Sequence, residues 1–493
     1  MKKKIFGTWC LALAASAILF ALQTAAQSVV TYHSKDVEES KEYIKGNEYQ
    51  KDFLLFMDML QSTHPAFEKN APLDMKKELK QGYARFGKCQ NPQSFAVQLQ
   101  QIAARLHDEH TAVCYFQKEK LMYPAHFYAD ESGYYLNSVQ RGLEPCLGKR
   151  IVKVNGREMK DVCERFRPFY SANNEAGFSK QFEKQAFYFS PWQEMGLCEA
   201  DSTITLTFSD DTTLRLFPWG VDFKDWAPLQ VTPSPVAVMR QQGGGMPFTY
   251  QITDGGICYL LFDQCMDRED YRQMYMPQVA GNDMMRARLE QQLKRIPVFT
   301  EFLDSMFADM KQRNVRTLAV DVRRNSGGNS LLCNELLCWL KSAVATHGVY
   351  PRASALATES YQLQGKDPSV LKESYPSHTL QGLEHPFDGD VIWIQGKETF
   401  SSAGILMTLA VDNNIGKVIG EPASYAPTHY GDLLYWTLPN TQTSGQVSHK
   451  YFVRPDEKRG NEIPLVETLP TSFQDYQKGT DPCYEWVKAN YGR

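Results

Sequence analysis

Two adjacent serines, Ser401 and Ser402, stand in "KETFSSAGILMTLAVDNN" (397–414), just before an apolar run that reads as a buried helix. A serine here can cap the helix, a contribution of roughly 1 kcal/mol. It can also be a nucleophile, because outward-pointing helix N–H groups and the helix dipole favour an alkoxide or oxyanion. A serine nucleophile needs a base, and "LHDEHTAV" (106–113) offers His107 and His110, imidazoles that titrate near neutrality. A third stretch, "LAVDVRRNSGGNS" (318–330), carries a strand to Asp321 and then passes through Asn325-Ser326-Gly327-Gly328 into a helix. Such a turn puts bare backbone N–H groups at the carboxyl end of a strand, where open α/β sheets place their ligands. Glycine is equally what a tight turn needs for its dihedrals. No Gly-Lys-Ser/Thr follows, which argues against a phosphate loop. Taken singly, the serines are better read as a cap and the histidines as an ordinary pair, and the glycine turn is at least as well explained by its dihedrals as by chemistry.

The elements that must position these residues differ in texture along the chain. Residues 27–125 read as a helical domain: Phe53, Leu54, Phe56, Met57 and Leu60 recur at helical spacing, as do Phe95, Leu99, Ile102, Ala103 and Leu106. Residues 126–216 turn to short runs rich in β-formers, with Asn155-Gly156 and Asp210-Asp211 as hairpin turns. Prolines and a triple glycine mark 217–247 as a linker. From 248 to 493 strands alternate with helices, which predicts an α/β core. Within it, Ile296, Phe299, Leu303, Met306, Phe307 and Met310 form one helical face.

Residues 1–26 read as an export signal: three lysines, an apolar stretch, then Thr24-Ala25-Ala26 with cleavage before Gln27. Cys10 lacks the flanking residues of a lipid-modified cysteine, and no second apolar run approaches the roughly 20 residues that span a bilayer. The remaining roughly 465 residues suffice for two or three domains. A net charge of −4 argues against a nucleic-acid partner, there being no basic surplus to displace phosphate counterions. Hydrophobic content of 43% with 22% charged residues describes an ordinary globular chain. Beyond Cys10 there are ten scattered cysteines and no zinc-type pair; Cys258 with Cys265, or Cys146 with Cys163, are candidate disulfides in an exported chain.

Read together, the three stretches resemble the C-terminal processing, or tail-specific, serine protease family, which includes the tricorn protease core and the repeats of interphotoreceptor retinoid-binding protein. "LAVDVRRNSGG" is similar to its strand ending in Asp-x-Arg-x-Asn-x-Gly-Gly, and "TFSSAGIL…VIGEPAS" to its Thr-x-Ser-Ala-x-Glu element followed by Gly-Glu-Pro/Thr. The likeness spans most of 246–470, and "LGKRIVKVNGREMKDV" resembles the PDZ-like region that precedes the core in many members. The resemblance implies a multidomain α/β protein with a ClpP/crotonase-like core, and a serine peptidase without metal or organic cofactor. Ser401 takes the nucleophile's place, Ser402 that of the usual alanine, and Gly404 stands where many members have glutamate. Gly327, Gly328 and Ser402 are the implied oxyanion N–H donors. The lysine of Ser-Lys members is missing from "SYAPTHYGD", whereas "DEHT" supplies His110 in the Asp-x-His-Thr/Ser setting of the tricorn-like branch; His429 is the second candidate base. That branch completes its triad with a glutamate, for which Glu462 is chosen ahead of Glu457 and Glu467. The expected partner is a peptide or protein substrate met in a periplasmic or extracellular space. The alternatives are a non-catalytic binding protein of the same fold for apolar ligands or peptides, and an esterase.

Overall fold

A computed structural model describes residues 29–69, 71–114, 119, 121–220 and 225–492. The expected export signal and Cys10 lie outside the described residues. Among those described, no helix is long and apolar enough to cross a membrane.

The α/β core is built on a six-stranded sheet in the order Phe248–Ile252, Ile257–Phe262, Thr317–Asp321, Asp390–Gln395, Lys417–Gly420 and Glu467–Thr468. The first pair is antiparallel and the rest are parallel. Both faces are covered, so the central strands are near-continuous apolar runs. Their residues alternate between two cores as a pleat requires. Leu318, Val320, Val391 and Trp393 face the helices Phe299–Gln312, Ser330–Leu340 and Ser402–Asp412, while Ala319, Ile392 and Ile394 face Pro235–Gln242 and Pro482–Tyr491.

Residues 217–247 are not a linker. They contain the strands Trp219–Gly220 and Trp226–Pro228 and the helix Pro235–Gln242. The punctuation was real, but it sits where structure tolerates it: Pro235 opens a helix whose missing N–H is not needed, and Gly243 follows the last turn. Trp226–Pro228 pairs with Gly133–Gln140 at the edge of a seven-stranded sheet that gathers the β-rich region. Asn155 and Gly156, with φ of 50° and 75°, make the two-residue turn between Arg150–Val154 and Arg157–Glu158.

The boundary between helical domain and core also differs from the sequence reading. The hairpin His429–Thr437 and Ser444–Val453 leaves the core sheet and pairs with Val29–Thr31, Gly348–Pro351 and Ala112–Val113. Its Leu434, Trp436 and Val447 share one hydrophobic cluster with the helices Glu48–Thr63 and Pro92–Ala104. The N-terminal segment therefore has no separate core. All ten described cysteines are free, so neither candidate disulfide is formed.

Candidate active site

Two strand–turn–helix units lie side by side, because Thr317–Asp321 and Asp390–Gln395 are parallel neighbours. Their turns are laced together: Thr399 Oγ1 donates to the Val322 carbonyl at 2.8 Å, and Phe400 N–H to the Asn325 carbonyl at 3.0 Å. Beneath them Asp321 is fully buried. Burial pushes its carboxyl up, but Arg323 and Arg240 reverse this and hold it well below the usual carboxylate range. Arg323 also reaches Asp481, at 2.8 and 3.0 Å, which pins the loop to the C-terminal helix.

Ser401 sits at the helix N-cap position with φ 51° and ψ −125°, and its side chain makes no capping bond. For a residue with a Cβ this backbone is strained by about 1–3 kcal/mol. The hydroxyl instead faces His110, with Oγ to Nε2 at 3.0 Å. Ser402 Oγ donates to the Gly328 carbonyl at 2.7 Å; the Ser402 N–H, being the first of the helix, has no acceptor within it. Gly327 presses on this turn: a Cβ there would lie 2.6 Å from Ser401 Cβ and 2.9 Å from Ser402 N. Its N–H, however, donates to Asn325 Oδ1 at 2.9 Å. Gly327 is thus corrected from a donor to a residue needed for its missing side chain, which leaves Gly328 and Ser402 as the oxyanion candidates.

His110 arrives from the end of helix Pro92–Ala104 and is fixed from several sides. The strand Ala112–Val113 pairs with Gly445 and Gln446, and Gln446 Nε2 donates to the His110 carbonyl at 3.0 Å. Phe400 stacks on the imidazole with ring centroids 4.3 Å apart. Asp108 Oδ1 accepts the His110 N–H at 3.0 Å and lies 3.7 Å from the imidazole Nδ1. Asp108 Oδ2 accepts from Thr111 at 2.7 Å and Ser448 at 2.6 Å, and meets His64 Nε2 at 3.0 Å. Burial would raise this carboxyl, but its bonds to His110 and His64 hold it well below the usual range.

Comparison with known proteins finds one family profile and several similar folds. Residues 293–452 match the sequence profile of peptidase family S41. No curated protein matches the chain. Over residues 293–452 the chain is similar to the S41 peptidases, and the match supports a serine-type peptidase. In fold it is similar to mature CPAF, with 16% identity, TM-score 0.58, and 91% of this chain and 96% of that one covered. A structure of mature CPAF complexed with lactacystin matches at 15% identity, TM-score 0.57, with 91% and 98% covered. A photosystem II D1 C-terminal processing protease matches at 12% identity and TM-score 0.37, with 88% and 98% covered.

Several site expectations for this peptidase change in the structure. Glu462, Glu457 and Glu467 are all exposed on the surface, and the carboxylate set beside His110 Nδ1 is Asp108. Glu457 and Glu462 follow the buried Arg454 in an exposed turn, and Glu467 lies on the edge strand of the core sheet. Asp108 was overlooked although the signal was local: an aspartate two residues before His110, suited to an Asx-type turn. His107 is exposed. His429 is buried with its ring 6.2 Å from that of His110, and burial pushes its pKa down to about 3. Gly404 replaces the family glutamate because the Tyr425 ring fills the space; a Cβ would lie 2.3 Å from Tyr425 Cγ. The β-rich unit closes the site from behind. Lys180 pairs with Glu109 and donates to Ser424 Oγ at 2.7 Å, and Asn174 Nδ2 bonds the carbonyls of Ala423 and Tyr425 at 2.9 and 3.1 Å.

Proposed function

We propose that this serine peptidase cleaves peptides or proteins outside the cytoplasm through an acyl-enzyme on Ser401, with His110 as base and Asp108 as the orienting carboxylate. The observation that carries the reading is the 3.0 Å contact between His110 Nε2 and Ser401 Oγ, within proton-transfer reach. Charged Asp108 favours the imidazole tautomer with its proton on Nδ1, leaving the Nε2 lone pair for the serine proton. Ser401 Oγ attacks the scissile carbonyl, and the N–H groups of Ser402 and Gly328 take the developing oxyanion. His110 then gives the proton to the leaving amine and afterwards activates water against the acyl-enzyme. The extracytoplasmic setting rests on the lysine-led apolar leader at residues 1–26.

Treating the protein with a fluorophosphonate and mapping the adduct tests this reading. Labelling at Ser401 that is lost in His110→Ala is the expected outcome. An adduct on another serine, or undiminished labelling of His110→Ala, overturns it.

A further inference from the structure

A pair of thiols lies directly behind the oxyanion loop, and the hydrolytic reaction does not use it. Cys265 follows the strand Ile257–Phe262, and Cys333 lies in the first turn of helix Ser330–Leu340. They are 68 positions apart, yet their Sγ atoms are 3.5 Å from each other, and both residues are fully buried. A buried free cysteine usually packs as a small hydrophobe. These two instead face each other and the catalytic turns. Cys265 N–H donates to the Gly327 carbonyl at 3.0 Å, and its own carbonyl accepts the Asn329 N–H at 2.6 Å. Its Sγ is 3.4 Å from Nδ2 of Asn325, whose Oδ1 holds the Gly327 N–H. Cys333 Sγ points at the Ser402 carbonyl, 3.3 Å away.

We propose that Cys265 and Cys333 are a disulfide-forming pair whose oxidation displaces the oxyanion loop and slows hydrolysis; the second half rests on the reading of Ser401 given above. A disulfide is about 2.05 Å long, so the sulfurs must close by about 1.5 Å. Movement of Cys333 gives up its contact with the Ser402 carbonyl. Movement of Cys265 pulls on Asn325 and, through two backbone hydrogen bonds, on Gly327 and Asn329. Displacing catalytic groups by about 1 Å costs on the order of 100-fold in rate.

With oxidised glutathione as oxidant the reaction balances. The thiolate of one cysteine attacks a glutathione sulfur, forming a mixed disulfide and releasing one glutathione thiolate. The second cysteine attacks the protein-bound sulfur and releases the second glutathione. Two electrons pass to the oxidant, and the two cysteine protons end on the two glutathione thiols. Both sulfurs are buried, so attack requires the loop to open; Gly327 and Gly328, at φ 107° and 134°, are the places where it can flex.

The test equilibrates reduced full-length protein with glutathione buffers of increasing oxidising strength, with a parallel series in mild urea to admit the oxidant. Thiols are alkylated and mapped by mass spectrometry, peptide hydrolysis is assayed, and amide hydrogen exchange is followed over 326–329 and 400–404. The expected result is a Cys265–Cys333 crosslink, a ten- to hundred-fold fall in kcat that dithiothreitol reverses, and altered exchange in both loops. Cys333→Ala and Cys265→Ala should each bring the ratio of oxidised to reduced activity back to one, with Cys333→Val as substitute should the alanine variant not fold. Absence of the crosslink in both series overturns the proposal. So does a crosslink that leaves hydrolysis and loop exchange unchanged. If Ser401 proves unreactive in reduced protein, the functional reading has failed separately, and crosslink mapping and exchange still decide whether the pair forms and moves the loop.

Discussion

At the scale of single residues, the acid that assists His110 is where sequence and structure part. Sequence resemblance points to a glutamate near the C-terminal end of the core, while the structure offers Asp108, 3.7 Å from His110 Nδ1 and kept ionised by its partners. The two assignments predict opposite mutant phenotypes. Asp108→Asn should lower kcat by on the order of 100- to 10,000-fold by spoiling tautomer and orientation. Glu462→Gln, an exposed change, should stay within about two-fold. Steady-state kinetics on both variants, with thermal melts to confirm folding, decide between them; a large loss in Glu462→Gln would restore the glutamate. Ser401 itself was legible because the Thr-x-Ser register is local. What no sequence reveals is that Ser401 adopts φ 51° and that neither serine of the pair caps the helix through its side chain.

At the scale of elements, the helix Ser402–Asp412 shows how packing decides a residue that a motif leaves odd. Gly404 gives the Tyr425 ring its seat, and a methyl there would meet Cγ at 2.3 Å. Gly404→Ala should therefore destabilise the fold by about 1–3 kcal/mol through overpacking. Tyr425→Leu in the same chain should relieve part of that penalty, giving a coupled double-mutant cycle. Urea denaturation measures both, and purely additive effects would mean that the two do not compete for this space. Elements with strong periodicity, such as Phe299–Gln312 with its buried Leu303, Met306, Phe307 and Met310, were readable in advance. The helix Pro235–Gln242 was not, because its eight residues lie between prolines and glycines that look like loop punctuation.

At the scale of the whole molecule, three segments far apart in sequence converge on one site, and the fold encloses histidines that take up a proton more readily in the unfolded chain. Burial pushes His126 and His347 to a pKa of about 4 and His429 to about 3. Their unfolded value is near 6.5. Between about pH 6.5 and 4 the unfolded state thus binds more protons than the folded one, and stability falls as pH falls. Each histidine contributes up to about 1.4 kcal/mol per pH unit in that window and nothing above it. Melting temperature should decline from pH 6.5 to 4, and His347→Gln should make the decline shallower by one histidine's share. An equal slope in the variant would show that His347 is already protonated in the fold.

The sequence by itself determined the local chemistry: a serine at a strand-to-helix turn, a glycine loop after Asp321, a histidine in "DEHT" and an α/β alternation that places both turns at strand ends. Those features depend on neighbours a few residues away, which periodicity and turn composition record. Only the tertiary structure decided that His110 meets Ser401, 291 positions later in the chain. That meeting depends on Ala112–Val113 pairing with Gly445–Gln446, and on a hairpin that leaves one sheet to complete another. Strand pairing across hundreds of residues is selected by burial and register in the folded molecule, and no short stretch of sequence encodes it.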